Sequence, residues 1–180
     1  INRTQTTNLL EEKTKNLTFV SSWQDMLNDE NTTSEKKLLS DAMRMLNSNY
    51  GVQGELVIEV IDDTPEAIYR SEEVLCDVKD MEYIVRYLDR IRNACVVNNL
   101  DRSYDEHSYL MNAMHDIDVA SMVGVPIIRN GEVKFVLLAF SMVNSNRLEL
   151  ENILTEQSKV MIQYAFGQLV DTLYRMRNIK

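Results

Sequence analysis

Apolar and polar positions fall along this chain in blocks that predict its elements. Val119 to Ile128 is an apolar run, VASMVGVPII, which breaks at Arg129-Asn130-Gly131-Glu132 and resumes as VKFVLLAFSMV from Val133 to Val143. Two β-rich runs joined through Asn-Gly predict a hairpin, because Asn and Gly tolerate the positive φ of a tight type I′ turn. A polar break covers Asn144 to Arg147, and from Leu148 the spacing becomes helical with no further proline. In the first half of this terminal helix Leu150, Ile153, Leu154, Val160 and Met161 form a face suited to lying on a sheet. In its second half Ile162, Phe166, Leu169, Leu173 and Met176 are spaced four, three, four and three, a heptad seam expected to meet another helix. One wide amphipathic stripe inside a monomer would give the same spacing.

The front of the chain carries the remaining elements. Asn2 to about Asn28 reads as a helix with a thin seam of Leu10, Leu17, Val20, Gln24 and Leu27, again suited to a partner helix or a second copy. Thr33 or Ser34 caps a second helix from Glu35 to Asn47, whose Leu38, Leu39, Ala42, Met43 and Leu46 form one face, with Gly51 beyond its end. Gly54 to Asp62 alternates Leu56, Ile58 and Val60 with Glu55 and Glu59, predicting a strand with one buried face. After a turn at Asp62-Asp63-Thr64-Pro65, a second strand is expected over Ala67 to Cys76. A helix follows from Asp80 to about Asn93, then a strand over Ala94 to Leu100 and a short helix from Asp105 to His115. The class is α+β, a mostly antiparallel sheet with helices packed on it.

Composition narrows the partners. The chain has 180 residues, 19 Lys and Arg against 28 Asp and Glu, and a net charge of −9. Such a surface repels phosphate backbones and anionic lipid, so neither nucleic acid nor a membrane surface is an expected partner. No apolar run reaches transmembrane length and no stretch has the make-up of a signal peptide. The first residue is Ile1, so the chain is expected to be a piece of a longer protein. Cys76 and Cys95 show no metal-type spacing, and a reducing cytoplasm is the expected location. Asn2, Asn16 and Asn31 open N-x-Thr sequons of the kind that an Asn- and Thr-rich chain produces by chance.

The order of elements resembles the GAF domains. The resemblance rests on ACVVNNLDRS, a short helix, ASMVGVPIIRNGEVKFVLLAFS, and the helix beginning RLELENILTEQSKVMIQYAFGQLVDTLYRMRN. Ser121 and Pro126 match the family's strand before a turn, Asn130-Gly131 the turn, and Glu149 and Glu151 the acidic start of the terminal helix. Lys134-Phe135 departs from it where many members carry a glycine. The resemblance implies a regulatory module that senses a small molecule or relays a signal, dimeric through helices that continue into an output domain. On that basis residues 1–30 are a dimerisation helix, 31–161 the sensory domain, and 162–180 the helix leading out. The expected dimer contacts are Leu10, Leu17, Val20, Ile162, Phe166, Leu169, Leu173 and Met176. The final YRMRNIK looks like the lead into a diguanylate cyclase catalytic domain or, as the second choice, a histidine kinase.

Chemistry in the sequence is sparse. There is no Gly-rich phosphate loop, no G-x-S-x-G, no H-E-x-x-H and no spaced Cys/His metal set. His107 and His115 lie eight residues apart and read as surface or pocket-wall histidines rather than a metal pair. Some enzymes of this fold reduce free methionine sulfoxide with cysteines, but the glycine-rich contexts of those cysteines are missing here, so buried structural thiols are expected. Cyclic-nucleotide and bilin signatures are also missing, and no cofactor is assigned. By analogy with the fold, a ligand pocket would lie between the sheet and the middle helices, lined by Tyr83, Tyr87, Asn98, Asn99, Tyr109, Met111, Met114, His115 and Ser121. Their amides, aromatic edges and methionines suit a small polar ligand. A filled core that binds nothing is the other expectation, since fold does not fix function.

Overall fold

The computed structural model describes residues 3–98, 110, 113–114, 118–143 and 153–178. Among these residues four helices and five strands are ordered α1 (Arg3–Leu27), α2 (Glu35–Tyr50), β1 (Gly54–Ile61), β2 (Thr64–Arg70), α3 (Val78–Ile91), β3 (Cys95–Asn98), β4 (Val119–Arg129), β5 (Glu132–Met142) and α4 (Glu156–Asn178). The strands form one antiparallel sheet in the order β2-β1-β5-β4-β3, as the α+β expectation required. The expected helix over 105–115 lies outside the described residues.

Local chemistry sets the boundaries. The Ser34 side chain accepts from Lys37 N and starts α2, and Gly51 ends it at φ 69°. Asp77 and Asp80 close a capping box on α3. Asn130 and Gly131, at φ 54° and 78°, make the two-residue turn between β4 and β5, and Asp62 and Asp63 do the same between β1 and β2. Because that turn is so tight, β2 starts at Thr64. It stops at Arg70, where Ser71 N donates to Glu55 O, so the expected strand over Ala67 to Cys76 is displaced toward the N-terminus. Gly54 must be glycine: a Cβ there would enter the Phe140 ring.

Two cores flank the sheet. On one face α3 packs Met81, Ile84, Tyr87 and Leu88 onto Leu56, Ile58, Met122, Val136, Leu138 and Phe140. On the other, α1, α2 and α4 cover Val57, Val123, Val125, Phe135 and Leu137. The α1 core positions are Phe19, Trp23 and Leu27, whereas Leu10 and Leu17 of the expected seam are exposed and Val20 is half-buried. Gln24 Nε2 donates to Tyr164 Oη at 3.2 Å, and the Gln157 amide faces the Glu12 carboxylate. Rising numbers on α1 thus meet rising numbers on α4, and the two helices run in the same direction. Helix α2 runs against them: Tyr50 Oη donates to Asn16 Oδ1 at 2.9 Å at one end, and Arg177 reaches Glu35 at the other. The N-terminal end of α1 and the C-terminal end of α4 therefore lie at opposite ends of the helical layer.

Two expectations for α4 are corrected. The helix begins at Glu156, with Thr155 Oγ1 accepting from Ser158 N at 3.2 Å; Ile153 and Leu154 precede it outside any helix, and the expected start at Leu148 lies outside the described residues. The 4-3-4-3 seam does not face a second copy: Ile162, Phe166, Leu169 and Leu173 are buried in this chain's own core, and Met176 is half-buried at its edge. The spacing marks one amphipathic stripe, and α1 and α2 supply the cover that a partner helix was expected to give. The sheet-facing assignment fails at Val160, which is 58% exposed. No described helix is long and apolar enough to cross a membrane.

Candidate functional site

The residues expected to line a pocket separate onto different surfaces. Tyr87, on the sheet-facing side of α3, and Met114 are buried together in the α3-side core. Tyr83 points away from it and is 38% exposed. Ser121 stands opposite Asn98 in the β3–β4 ladder and shares the parity of Val123 and Val125, so both belong to the face covered by α4. The register shift between Val119 and Ser121 sets that parity. Asn99, Tyr109, Met111 and His115 lie outside the described residues.

Ser121 is wholly buried and holds the approach to α4. Its Oγ accepts from Leu154 N at 2.8 Å and lies 2.6 Å from Ser141 Oγ across the β4–β5 pair. Leu154 N thereby finds a partner before α4 begins, which is what burial of a backbone N–H requires.

At the far end of α4 a second tie is ionic. Arg177 Nη1 and Nη2 donate to Glu59 Oε2 and Oε1 at 2.6 and 2.9 Å, and its Nε donates to Glu35 Oε1 at 2.6 Å. The guanidinium also lies over the Phe135 ring, whose edge meets Tyr174. The bonds to Glu59 hold the Arg177 guanidinium still further above its ordinary range, outweighing the burial that opposes its charge. Glu59 is 7% exposed and Glu55 is wholly buried, so β1 has two buried faces rather than the single one expected. Alternation of polar and apolar residues placed both carboxylates outside. The signal that would have revealed Glu59 is a cation far along the chain, and residue 177 is not recognisable as that cation from local pattern.

Among the described residues no cation pairs with Glu55. Ser71 Oγ accepts from Glu55 N at 2.8 Å and lies 3.4 Å from Glu55 Oε2, and the Asn47 amide nitrogen faces Oε1. Burial pushes this carboxyl up to about 7, opposed by the Ser71 hydrogen bond and assisted by the like charge of Glu73.

Neither Cys76 nor Cys95 is in a disulfide, and both are buried. Cys76 Sγ donates to Ala113 O at 3.1 Å and lies 3.9 Å from Met114 Sδ. Burial first, then the charges of Asp80 and Asp77, push its thiol up to about 11, which opposes thiolate chemistry. Among the described residues no group of three or more His, Cys, Asp or Glu side chains is arranged to hold a metal.

No family model matches the chain, and no curated protein matches it in sequence. Solved structures do. The A. aeolicus Nlh2 GAF domain in an inactive state is 16% identical with a TM-score of 0.56, over 92% of this chain and 98% of that one. The GAF domain of a sensor histidine kinase from Pseudomonas syringae pv. tomato is 10% identical with a TM-score of 0.56, over 97% and 95%. The free methionine-R-sulfoxide reductase of Neisseria meningitidis, solved with its substrate, is 14% identical with a TM-score of 0.59, over 88% and 87%. At these identities the likeness is one of fold, and sensory domains share it with an enzyme. The five-stranded antiparallel sheet between a helical layer and α3 is the GAF fold.

Proposed function

We propose that this chain is the regulatory, GAF-like sensor module of a bacterial signal-transduction protein, relaying a signal through α4 to a C-terminal output domain, a diguanylate cyclase by the resemblance of its last residues. The observation that carries this is the attachment of α4 to the sheet at both ends: Leu154 to Ser121 on β4, and Arg177 to Glu59 on β1. A ligand event on the α3 side acts on Met122 and Phe140, which pair across β4 and β5 beside Ser121 and Ser141. Strain in those strands reaches α4 through its two ties, and α4 carries it out at the end of the layer opposite the start of α1. A relay of this kind works through two packings of the same helices, whose populations a ligand biases. The likeness to a sensor histidine kinase GAF domain supports a signalling role. Redox catalysis is disfavoured by the raised Cys76 thiol.

The working form in this reading is a homodimer. Its contacts are revised to the apolar residues that α1 leaves uncovered, Leu9, Leu10 and Leu17, with Val160 and Tyr164 of the neighbouring α4. Native mass spectrometry of the purified chain tests assembly and ligand together. The expected result is a dimer carrying a retained small molecule, and a bare monomer at micromolar concentration would overturn both parts. Leu10→Asp with Leu17→Asp is expected to halve the native mass while changing the chain's own stability by no more than about 1 kcal/mol, because neither side chain is in the core.

A further inference from the structure

We propose that Glu55 is a proton-operated switch that decides whether the Asn47 amide holds the end of α2 or the start of β1. This does not depend on a ligand or a dimer and goes beyond the relay described above. The Asn47 side chain is oversubscribed: Met43 O at 3.1 Å, Val52 O at 3.0 Å and Glu55 Oε1 converge on one end of its amide and are satisfied only with the nitrogen turned toward them, three acceptors for two hydrogens. Two of these oxygens belong to the last turns of α2 and the residue after its Gly51 cap. The third belongs to β1. Which of them loses depends on how strongly Glu55 accepts.

The surroundings of Glu55 make that strength variable. It is wholly buried. The groups facing it are few: Asn47 from α2, Tyr69 from β2, Ser71 and Glu73 from the segment after β2, and Ala139 beside it on β5. Arg44 of α2 acts on Tyr69 but is spent on Asp41 at 3.6 Å and is largely exposed. Among the described residues no cation compensates the carboxylate, and Glu73 carries the same sign. A proton taken from solvent onto Oε2 neutralises the group and lets that O–H donate to Ser71 Oγ, so Oε1 is left as a weak carbonyl acceptor and Asn47 serves Met43 and Val52. On release of the proton, Ser71 O–H turns to donate to Oε2 and the carboxylate draws the Asn47 amide away from the end of α2.

The consequence reaches α1. The last turn of α2 carries Tyr50, whose Oη donates to Asn16 Oδ1 at 2.9 Å and whose ring meets Phe19 edge-on at 5.0 Å. Loosening that turn loosens the contact between α2 and the helix through which the chain reaches the domain. The buried acid is placed so that its proton is exchanged near neutrality.

The test is a carbon-detected carboxyl titration of the 180-residue chain by NMR from about pH 5 to about pH 9, following the Asn47 side-chain amide and the hydrogen exchange of the last α2 turn in parallel. The expected result is a Glu55 midpoint near neutral, an Asn47 amide shift with the same midpoint, and protection factors at Asn49 and Tyr50, taken relative to the base-catalysed intrinsic rate, that fall several-fold above it. Glu55→Gln is expected to remove all three transitions. A midpoint in the ordinary carboxylate range would overturn the proposal. So would a near-neutral midpoint with the Asn47 amide and the α2 exchange unmoved. Should Glu55→Gln not fold, the titration of the unaltered chain decides alone.

Discussion

Glu55 and Glu59 stand four residues apart on β1, point to the same face and are both buried, yet the chain accommodates them in opposite ways. Glu59 receives two hydrogen bonds from Arg177, which is braced in turn by Glu35. Glu55 receives neutral donors only, from Asn47 and Ser71. A buried carboxylate needs either a partner charge or a proton, because removing an ionised group from water costs several kcal/mol. One end of the strand has taken the first solution and the other end the second. The paired end is a fixed tie, since a guanidinium never gives up its proton in the working range. The unpaired end is adjustable.

The largest expected effect comes from breaking the pair. Arg177→Met strands Glu59 in the core, and loss of one partner of a buried pair costs about 3–5 kcal/mol; the guanidinium is one-third exposed, which favours about 3 kcal/mol. Denaturant unfolding with an unchanged m-value would read it. Adding Glu59→Met is expected to recover most of that loss, because two apolar side chains of similar volume leave nothing unsatisfied. A double variant as unstable as the single one would mean that Arg177 acts through Phe135 and Glu35 rather than through Glu59.

Next in size is the dependence of stability on pH. Glu55 has its folded value raised from 4.5 to about 7, so the folded chain holds a proton that the unfolded chain has released. The resulting stabilisation is complete below about 4.5, falls as pH rises toward 7 and is gone above it, a loss on the order of 3 kcal/mol. Subtracting the curve for Glu55→Gln from that of the unaltered chain isolates this contribution from the other acids. A flat difference curve would place the Glu55 carboxyl in water.

These two carboxylates also explain what local pattern can and cannot convey. Ser34, Gly51 and Asn130-Gly131 act within a few residues, and each ended up as the cap or turn that its chemistry demands. The strands β4 and β5 and the apolar face of α2 were equally plain, since their signals are periodic and uninterrupted. Glu55 and Glu59 were placed outside because alternation assigns polar residues to water, and only tertiary packing brings α2 and Arg177 over them. The 4-3-4-3 stripe of α4 was legible as a stripe, but spacing carries no information on whether the cover comes from the same chain. On α1, Leu10 and Leu17 outweighed Phe19 and Trp23, although the latter pair with Leu27 has perfect i, i+4, i+8 spacing and lies in the core. Ser121 of the candidate pocket shows a similar limit: one irregular residue between Val119 and Ser121 changes which face a strand residue takes, and Ser121 lies on the α4 side.

The smallest expected effect discriminates most finely between the two ends of β1. Ser71→Ala removes the acceptor for Glu55 N and the hydroxyl beside Glu55 Oε2, and costs about 1 kcal/mol at low pH, where the carboxyl is neutral. The same hydroxyl holds the Glu55 carboxyl down against the effect of burial, so its loss moves the titration midpoint upward and the pH-dependent fall in stability with it. Nothing comparable is expected at Glu59, about 13 Å further along the strand. Arg177→Met should therefore cost the same in the Ser71→Ala background as in the unaltered chain, within about 0.5 kcal/mol. A coupling well beyond that would show that β1 transmits strain between its two carboxylates, and that the adjustable end and the fixed tie are parts of one device.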